Sequence, residues 1–512
     1  MDQQKIFEPI PVDKMSMFSK EELIYLLQGE QKIRQQLEID NDRLRSKNSE
    51  LSQKKLLIEE QYITIKNKFF GKSSEKEPSK EDRKKHQAKS SRSKKKKVQL
   101  PSLRYPEAPL IERHVTLDKA PTCKCCGSEM SDSGMTENSE FLTTIPAQFF
   151  VVRLMRHKYR CGGCHGSLIT APSPPRIKPG SGYSDEMVID VALSKYCDLV
   201  PVERYTSIAG REGLKDLPSN SLIQQTHYLS DFVEPVYDLL GQEILRPLVL
   251  RADETPHRML EGGGDKSHYL WGVSTQRTSY FEIHNTRSGD VASEVLKKAK
   301  CEYLVSDVFS GYKKSVRETN KYREEHGLGK LQNIYCNAHA RRKFKEAQEN
   351  YPEESQFFIE CYKKIYRLEK IAQKRPPDRI LRVRRYMKKF FDQMRQVAMG
   401  NIAGYSTKSK IGKAMSYFLK NYDEFTYFIK HKDLPIDNNA QERLMRNPVI
   451  GRKTWYGNHS KRGAKTTAIL FSLVESCKLN NVNPREYFKK LVEDLHQGKT
   501  PYTPATYAVS TT

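Results

Sequence analysis

The strongest constraint on what this chain can fold into lies between residues 247 and 336, where short apolar runs and one amphipathic stretch follow one another in a set order. Runs at 247–252, 269–274 and 278–284 read as strands, 289–300 as a helix, and 302–306 and 331–336 as two further strands. Apolar runs of this length, bounded by turn residues, are the pattern of buried strands. Two acids mark this segment. Asp253 in LRADETP and Asp307 in YLVSDVFSGY each follow the apolar run of the first or the fourth strand, so both carboxylates are expected at strand ends.

Three strands, a helix and two strands is the ribonuclease-H-like order, in which the first and fourth strands are neighbours and the two acids meet. A third carboxylate must then come from a later helix, and Glu442 in IDNNAQERLMRNPVIGRKTWYG is the candidate. Three carboxylates form an oxygen-rich pocket suited to hard divalent cations such as magnesium. A pair of such ions, about 3.5 to 4 Å apart, clamps the attacking and leaving oxygens of an in-line displacement at phosphorus. Hydrolysis and strand transfer then differ only in whether water or a DNA 3′-hydroxyl attacks. Asn439-x-x-Glu442 also fits a helical capping box, in which the acid merely satisfies backbone donors. Glu254 and Asp437 are the neighbouring carboxylates, and both are expected to point away.

A basic shell surrounds the acids. Arg341, Arg342 and Lys343 follow Cys336-Asn-Ala-His339, and Arg443, Arg446, Arg452 and Lys453 surround Glu442. These are the candidate DNA contacts, with Arg446 placed to pair with Glu442 or with a phosphate. Cys336 and His339 read as a packed thiol and a histidine near the pocket edge. Trp455 reads equally as a base-stacking residue or as an anchor of the fold. The whole chain carries 88 Lys+Arg against 63 Asp+Glu, a net charge of +25, which favours a polyanionic partner. No run of 18 apolar residues and no apolar signal core occurs, so a cytoplasmic, nucleoid-associated protein with no membrane partner is expected.

Ten cysteines in a reducing compartment read more readily as metal ligands than as disulfides. Cys123-x-x-Cys126 and Cys161-x-x-Cys164 are two knuckles that together fit a closed tetrahedral zinc site with a structural role. The apolar stretch at 145–154 suggests a supporting hairpin. Upstream, Leu23, Leu37, Leu44, Leu51, Ile58 and Ile65 recur every seven residues, interrupted once by Glu30, with Leu27, Asn41, Asn48 and Tyr62 but also charged Arg34 and Lys55 at the companion positions. Buried Asn at such positions favours a two-stranded parallel coiled coil; a helix folding back on its own chain is the alternative. From Arg83 to Lys97 nine of fifteen residues are basic and none acidic, the composition of a disordered linker. After APSPPRIKPGSG, residues 185–245 read as helices, with Ser219 or Asn220 as an N-cap, forming either a helix-turn-helix or a bundle that joins modules. Residues 348–427 read mostly as helix and as an insertion between the second and third acids; the basic run at 374–389 faces either DNA or solvent.

These blocks are collinear with a known family. Through KNKFFGKSSEK, the paired cysteines, IPAQFFVVRLMRHKYRCGGC, APSPP, SKYCDLVPVERY, RADETPHRML, CNAHARRKF and the Glu442 block, the chain resembles the insertion-sequence transposases of family sixty-six, large DDE-type enzymes of bacterial mobile elements. The resemblance runs from about residue 23 to about 488. It implies Asp253, Asp307 and Glu442 as the catalytic, magnesium-binding acids, with manganese as a substitute, and a zinc module for DNA recognition. It further implies inverted-repeat DNA as substrate, target DNA as acceptor, and small accessory proteins of the same element as helpers. The ending TPYTPATYAVSTT departs from the family's usual leucine-, proline- and tryptophan-containing tail.

The resulting expectation is a multidomain α/β protein. A coiled coil occupies 1–75, a basic linker 76–100, the zinc module 101–175 and helices 176–245. A ribonuclease-H-like catalytic domain spans 246–476 with a helical insertion at about 345–430, and a C-terminal module covers 477–512. It would act as a homodimer or larger assembly on DNA. A zinc-dependent DNA-binding regulator, or a nuclease without strand transfer, would share most of these features.

Overall fold

The computed structural model describes residues 19–70, 100–106, 109–112, 119, 121–130, 139–143, 148–160, 168–261 and 267–511. The basic stretch through residue 99, Cys161 and Cys164 lie outside them. Two compact units divide the chain, one made of residues 1–71, 156–207 and 218–512, the other of 72–155 with 208–217.

Helix α1 (Lys20–Phe70) is continuous for 51 residues, about 75 Å at the usual rise. Leu27, Leu37, Leu44, Leu51 and Ile58 are each more than half exposed on it. Glu60 is the contrast. It is buried, its carboxylate accepts the Lys410 amide at 2.9 Å and the Tyr351 hydroxyl at 3.3 Å, and its carbonyl accepts the Asn350 side chain at 3.1 Å. One residue therefore fastens the long helix to the corner between two later helices.

In the smaller unit a short helix, α2 (Pro101–Arg104), precedes a tight knuckle at residues 121–130. Thr122 bridges Glu129, the Cys123 amide donates to the Ser128 carbonyl, and Gly127 takes φ +75° to close the turn. The amides of Cys125 and Cys126 aim at the Cys123 sulfur and pull its thiol below the ordinary value. A hydrogen-bonded, thiolate-favouring knuckle of this kind suits a metal ligand. The hairpin expected at 145–154 lies elsewhere. The described residues of that stretch carry no strand and Phe150 and Val151 are exposed, whereas β1 (Lys158–Arg160) and β2 (Leu168–Thr170) in the larger unit pair antiparallel on either side of the second Cys-x-x-Cys.

Helices α3 (Asp185–Tyr196), α4 (Val202–Arg211), α5 (Ser219–Phe232) and α6 (Glu234–Glu243) follow. Pro218 occupies the N-cap position of α5, so neither Ser219 nor Asn220 caps it. The sheet comes next, as β3 (Val249–Arg258), β4 (Ser267–Ser274), β5 (Ser279–His284), helix α7 (Asp290–Lys298), β6 (Tyr303–Ser306), helix α8 (Ser310–Glu325) and β7 (Gln332–Tyr335). Its spatial order is β5-β4-β3-β6-β7. Short connections make β3, β4 and β5 antiparallel, and the helical crossovers make β6 and β7 parallel to β3, the right outcome for each connection length. The first and fourth strands are neighbours, as the element order predicts.

Beyond the sheet, α9 (Asn337–Ala347), α10 (Pro352–Ala372), α11 (Pro377–Asn401), α12 (Lys410–Lys420) and α13 (Tyr422–Thr426) close around an aromatic core. Phe344, Phe358, Phe391, Phe418 and Phe425 pack there with Val305 and Ile334 from the sheet. Arg384 is turned into this core. It forks onto Glu369 at 2.5 and 3.1 Å and caps the Phe428 carbonyl at 3.1 Å and that of His431, while Arg379, Arg382 and Arg385 of the same basic run stay exposed. The chain ends in α14 (Asn439–Trp455), α15 (Lys461–Leu479), α16 (Pro484–His496) and α17 (Pro504–Thr511). Helices α15 and α16 share one core with α3, α5, α6 and the β4–β5 face, through Leu193, Tyr196, Leu229, Leu270, Phe281, Ile469 and Phe488. Among the described residues no helix is long and apolar enough to cross a membrane.

Candidate active site

Strand alternation places Asp253. Leu250, Ala252 and Glu254 are buried on one face of β3, and Asp253 shares the other with Arg251 and Thr255, because successive side chains leave a strand on opposite sides. Its position is not a strand end. The parallel ladder to β6 stops at Arg251, but the antiparallel ladder to β4 continues to Arg258 and pairs Asp253 with Gly272. The longer partner keeps β3 extended past the acid. Glu254, on the far face, takes two bonds from Arg287 at 2.7 and 3.0 Å and one from the Tyr312 hydroxyl at 2.7 Å; it is a packed anchor pointing away from Asp253.

Asp307 follows β6 directly, and one oxygen accepts the Phe309 amide at 3.0 Å. Its carboxylate is thereby held at the turn into α8. Asp253 has a similar restraint, accepting the Glu254 amide at 3.0 Å.

Glu442 arrives through a set of small contacts that bring α14 onto the sheet. The Asn438 side chain donates to the Ala252 carbonyl at 2.8 Å, one residue from Asp253, and the Asn438 amide donates to the Cys336 sulfur at 3.1 Å. Asn337 donates to the carbonyls of Ile436 and Phe425. Gly272 completes the fit, since a Cβ there would lie 2.5 Å from Gln441 and 2.7 Å from Met445. The absence of a side chain opposite Asp253 is what lets α14 approach. Asp437, not Glu442, satisfies the start of this helix, accepting the Asn439 amide at 3.1 Å. One Glu442 oxygen is buried with no hydrogen-bond partner, so the capping-box alternative is not what the geometry shows.

Asp253 feels the acids around it. Burial, then the charges of Glu254, Asp307 and Glu442, push the Asp253 carboxyl up to about 8. Repelling carboxylates in a partly desolvated pocket shift in this direction when nothing positive neutralises them. Around Glu442, His339 Nδ1 stands 3.7 Å and Arg342 3.5 Å away. Among the described residues, the tightest set of potential ligand atoms is Cys336, His339 and Glu442, all within 4.8 Å of one another. Burial holds the Cys336 thiol at about 12, so this sulfur serves as a hydrogen-bond acceptor for Asn438 and not as a thiolate. Glu442 is thus reached from two sides, by the acids of the sheet and by the imidazole of α9.

The basic shell divides. Arg342 faces Glu442, whereas Arg443, Arg446, Lys343 and Lys453 are exposed and Arg446 forms no ion pair with Glu442. Arg452 leans on β3, donating to Thr255 at 3.4 Å. Arg341 is half-buried and its Nε has no partner. Trp455 packs between Tyr196 and Phe471, with centroids 6.3 and 6.5 Å away, which is the anchoring role. Sequence reasoning missed Gly272 and Asn438. A lone glycine in the middle of LWGVS was the available signal, because glycine inside a strand marks close backbone approach.

Residues 180–466 match the family described as Transposase IS66 family, and residues 121–165 match the zinc-finger binding domain of transposase IS66. Two proteins of Sinorhizobium fredii, both called uncharacterized, are also similar. One, y4hP, is 25% identical over 405 residues, covering 74% of this chain and 71% of the relative; the other, y4jD, is 25% identical over 395 residues, covering 74% and 75%.

Proposed function

Because the chain belongs to the transposase IS66 family, we propose that it binds the terminal inverted repeats of an insertion sequence and cuts and joins DNA strands through Asp253, Asp307 and Glu442. The observation that carries this reading is the gathering of acids at one place: α14 is tied to the Ala252 carbonyl beside Asp253, and burial with the charges of Glu254, Asp307 and Glu442 raises the Asp253 carboxyl. Such a cluster is unfavourable by itself and favourable around a divalent cation.

The donor set fits magnesium or manganese, with carboxylate oxygens from three separate elements and an unpartnered buried oxygen on Glu442. Divalent ions bound there would supply Lewis-acid activation of a water or 3′-hydroxyl and of the leaving oxygen. The protein's part is positioning. Backbone amides hold one oxygen each of Asp253 and Asp307, and Arg342 and His339 flank Glu442. No nucleophilic side chain is needed. The five-stranded order, with the first and fourth strands adjacent, supports a ribonuclease-H-like core. The heptad stripe of α1 supports a parallel coiled coil with a second copy, and the Cys123–Cys126 knuckle supports a structural zinc in the segment matched as a zinc finger.

The test is cleavage and joining by purified protein, with magnesium, on DNA carrying the element's own inverted repeats. Wild type should give 3′-end cuts and joined products. Asp307→Asn should bind the same DNA and give neither product. Cutting that survives in Asp307→Asn would remove the acid assignment. Specific binding without cutting by wild type, even with the element's helper proteins added, would favour a DNA-binding regulator.

A further inference from the structure

Around the start of α8, where the Phe309 amide meets Asp307, lies a cleft of about 440 Å³ whose lining includes Arg287, Ser310, Gly311, Lys313, Lys314 and Arg317 and contains no acidic residue. Its charges are not equally committed. Arg287 is paired with Glu254 and rests over the Phe309 ring at 4.1 Å, and Lys314 is paired with Asp290. Lys313 and Arg317 are exposed and, among the described residues, neither has a carboxylate partner. Lys313 is held in place all the same, donating to Asn421 at 2.9 Å and lying over the Tyr335 ring at 5.6 Å. A cation restrained by neutral groups keeps its charge available for a ligand.

The floor of the cleft is tightly built. Gly289 and Gly311 touch so closely that a Cβ on Gly289 would sit 2.2 Å from the Gly311 carbonyl, and Ser315 ties both carbonyls at 2.5 and 2.8 Å. Helix α8 starts here with Ser310 and has no acidic residue in its first turn. The electrostatic sign therefore reverses over a few residues, from the carboxylates at Asp253 and Asp307 to a positive cleft.

We propose that this cleft is a phosphodiester-binding subsite, gripping the backbone of the DNA strand that runs past Asp307, with Lys313 and Arg317 as its principal contacts. The inference rests on the DNA-transposase reading and extends it to residues outside the acid cluster and its basic shell. A strand held here would enter the acidic pocket with its phosphates already neutralised on one side. Contacts of this kind act on every sequence alike.

The experiment is the salt dependence of duplex binding, measured with the inverted repeat and with an unrelated duplex. Lys313→Ala and Arg317→Ala should each make the negative slope of log affinity against log salt shallower by about 1, and weaken both duplexes by roughly five- to tenfold at 0.1 M salt. Ser310→Glu gives the sharper test. An acid at the first residue of α8 suits the helix and should leave the melting temperature unchanged or higher, while repelling the strand and weakening both duplexes. Unchanged slopes in the alanine variants, or unchanged binding by Ser310→Glu, would overturn the subsite. Displacement of DNA by pyrophosphate at matched affinity would assign the cleft to a small anion instead. If wild type binds neither duplex, the DNA reading falls and this proposal falls with it.

Discussion

Asp253 and Gly272 face each other across β3 and β4, and each implies a measurable outcome. Gly272→Ala adds one methyl group where Gln441 and Met445 already stand within 2.7 Å. It should displace α14, and Glu442 with it, and lower strand cleavage on the order of a hundredfold, since misplacement by about 1 Å has that effect. Repeat binding should persist, and equal cleavage by Gly272→Ala and wild type would refute the close-approach role. Asp253→Asn tests the electrostatics. A carboxyl whose folded pKa lies above its unfolded value contributes stability at pH below about 4 and loses it as pH rises towards about 8. The metal-free asparagine variant should therefore melt a few degrees higher than wild type at pH 8 and show little difference near pH 4. His257 titrates in the other sense. Burial holds it down at about 4 beside Asn458, so its share of stability is present above about pH 6.5 and fades as pH falls towards 4. Asp253, Asp307 and Glu442 stand out in the sequence as candidates, through strand pattern and family resemblance. Gly272 and Asn438 were not, because their work depends on what packs against them.

Elements with strong periodicity were readable and elements set by tertiary pairing were not. The strands expected at 269–274 and 278–284 appear as Ser267–Ser274 and Ser279–His284, since apolar alternation and flanking turns decide such ends. The first strand was expected to stop at 252 and runs to Arg258, because β4 supplies ladder partners that its own residues do not announce. The basic run at 374–389 looked uniform, yet Arg384 lies inside the helical core of α10–α13, on Glu369. Nothing in the local charge pattern distinguishes it from exposed Arg385. Arg384→Ala would leave Glu369 buried and unpaired, and should destabilise this helical core by about 3–5 kcal/mol. Urea unfolding followed by far-UV circular dichroism measures this, with Arg385→Ala expected to fall within about 0.5 kcal/mol of wild type.

At the scale of the molecule, helices α3, α5 and α6 and the C-terminal helices bury one another over the β4–β5 face, although more than 200 residues separate them in sequence. Composition and periodicity identify amphipathic helices without saying which faces meet, so this shared core could not be read beforehand. The proposed α1 coiled coil predicts that removal of residues 1–75 converts a dimer into a monomer, by light scattering, while the remaining chain keeps its fold. Glu60→Ala should leave the dimer intact and raise amide exchange at the first turn of α12. The Glu60 fastening also has a mechanical meaning. It grips the corner at Asn350 and Tyr351, where α9 has just ended, and α9 begins beside Cys336 with His339 in its first turn. Helix α9 is therefore a strut roughly 16 Å long, with a handle at one end and the flank of Glu442 at the other. A pull or twist on the long N-terminal helix would be delivered as load on that strut before it reached the sheet.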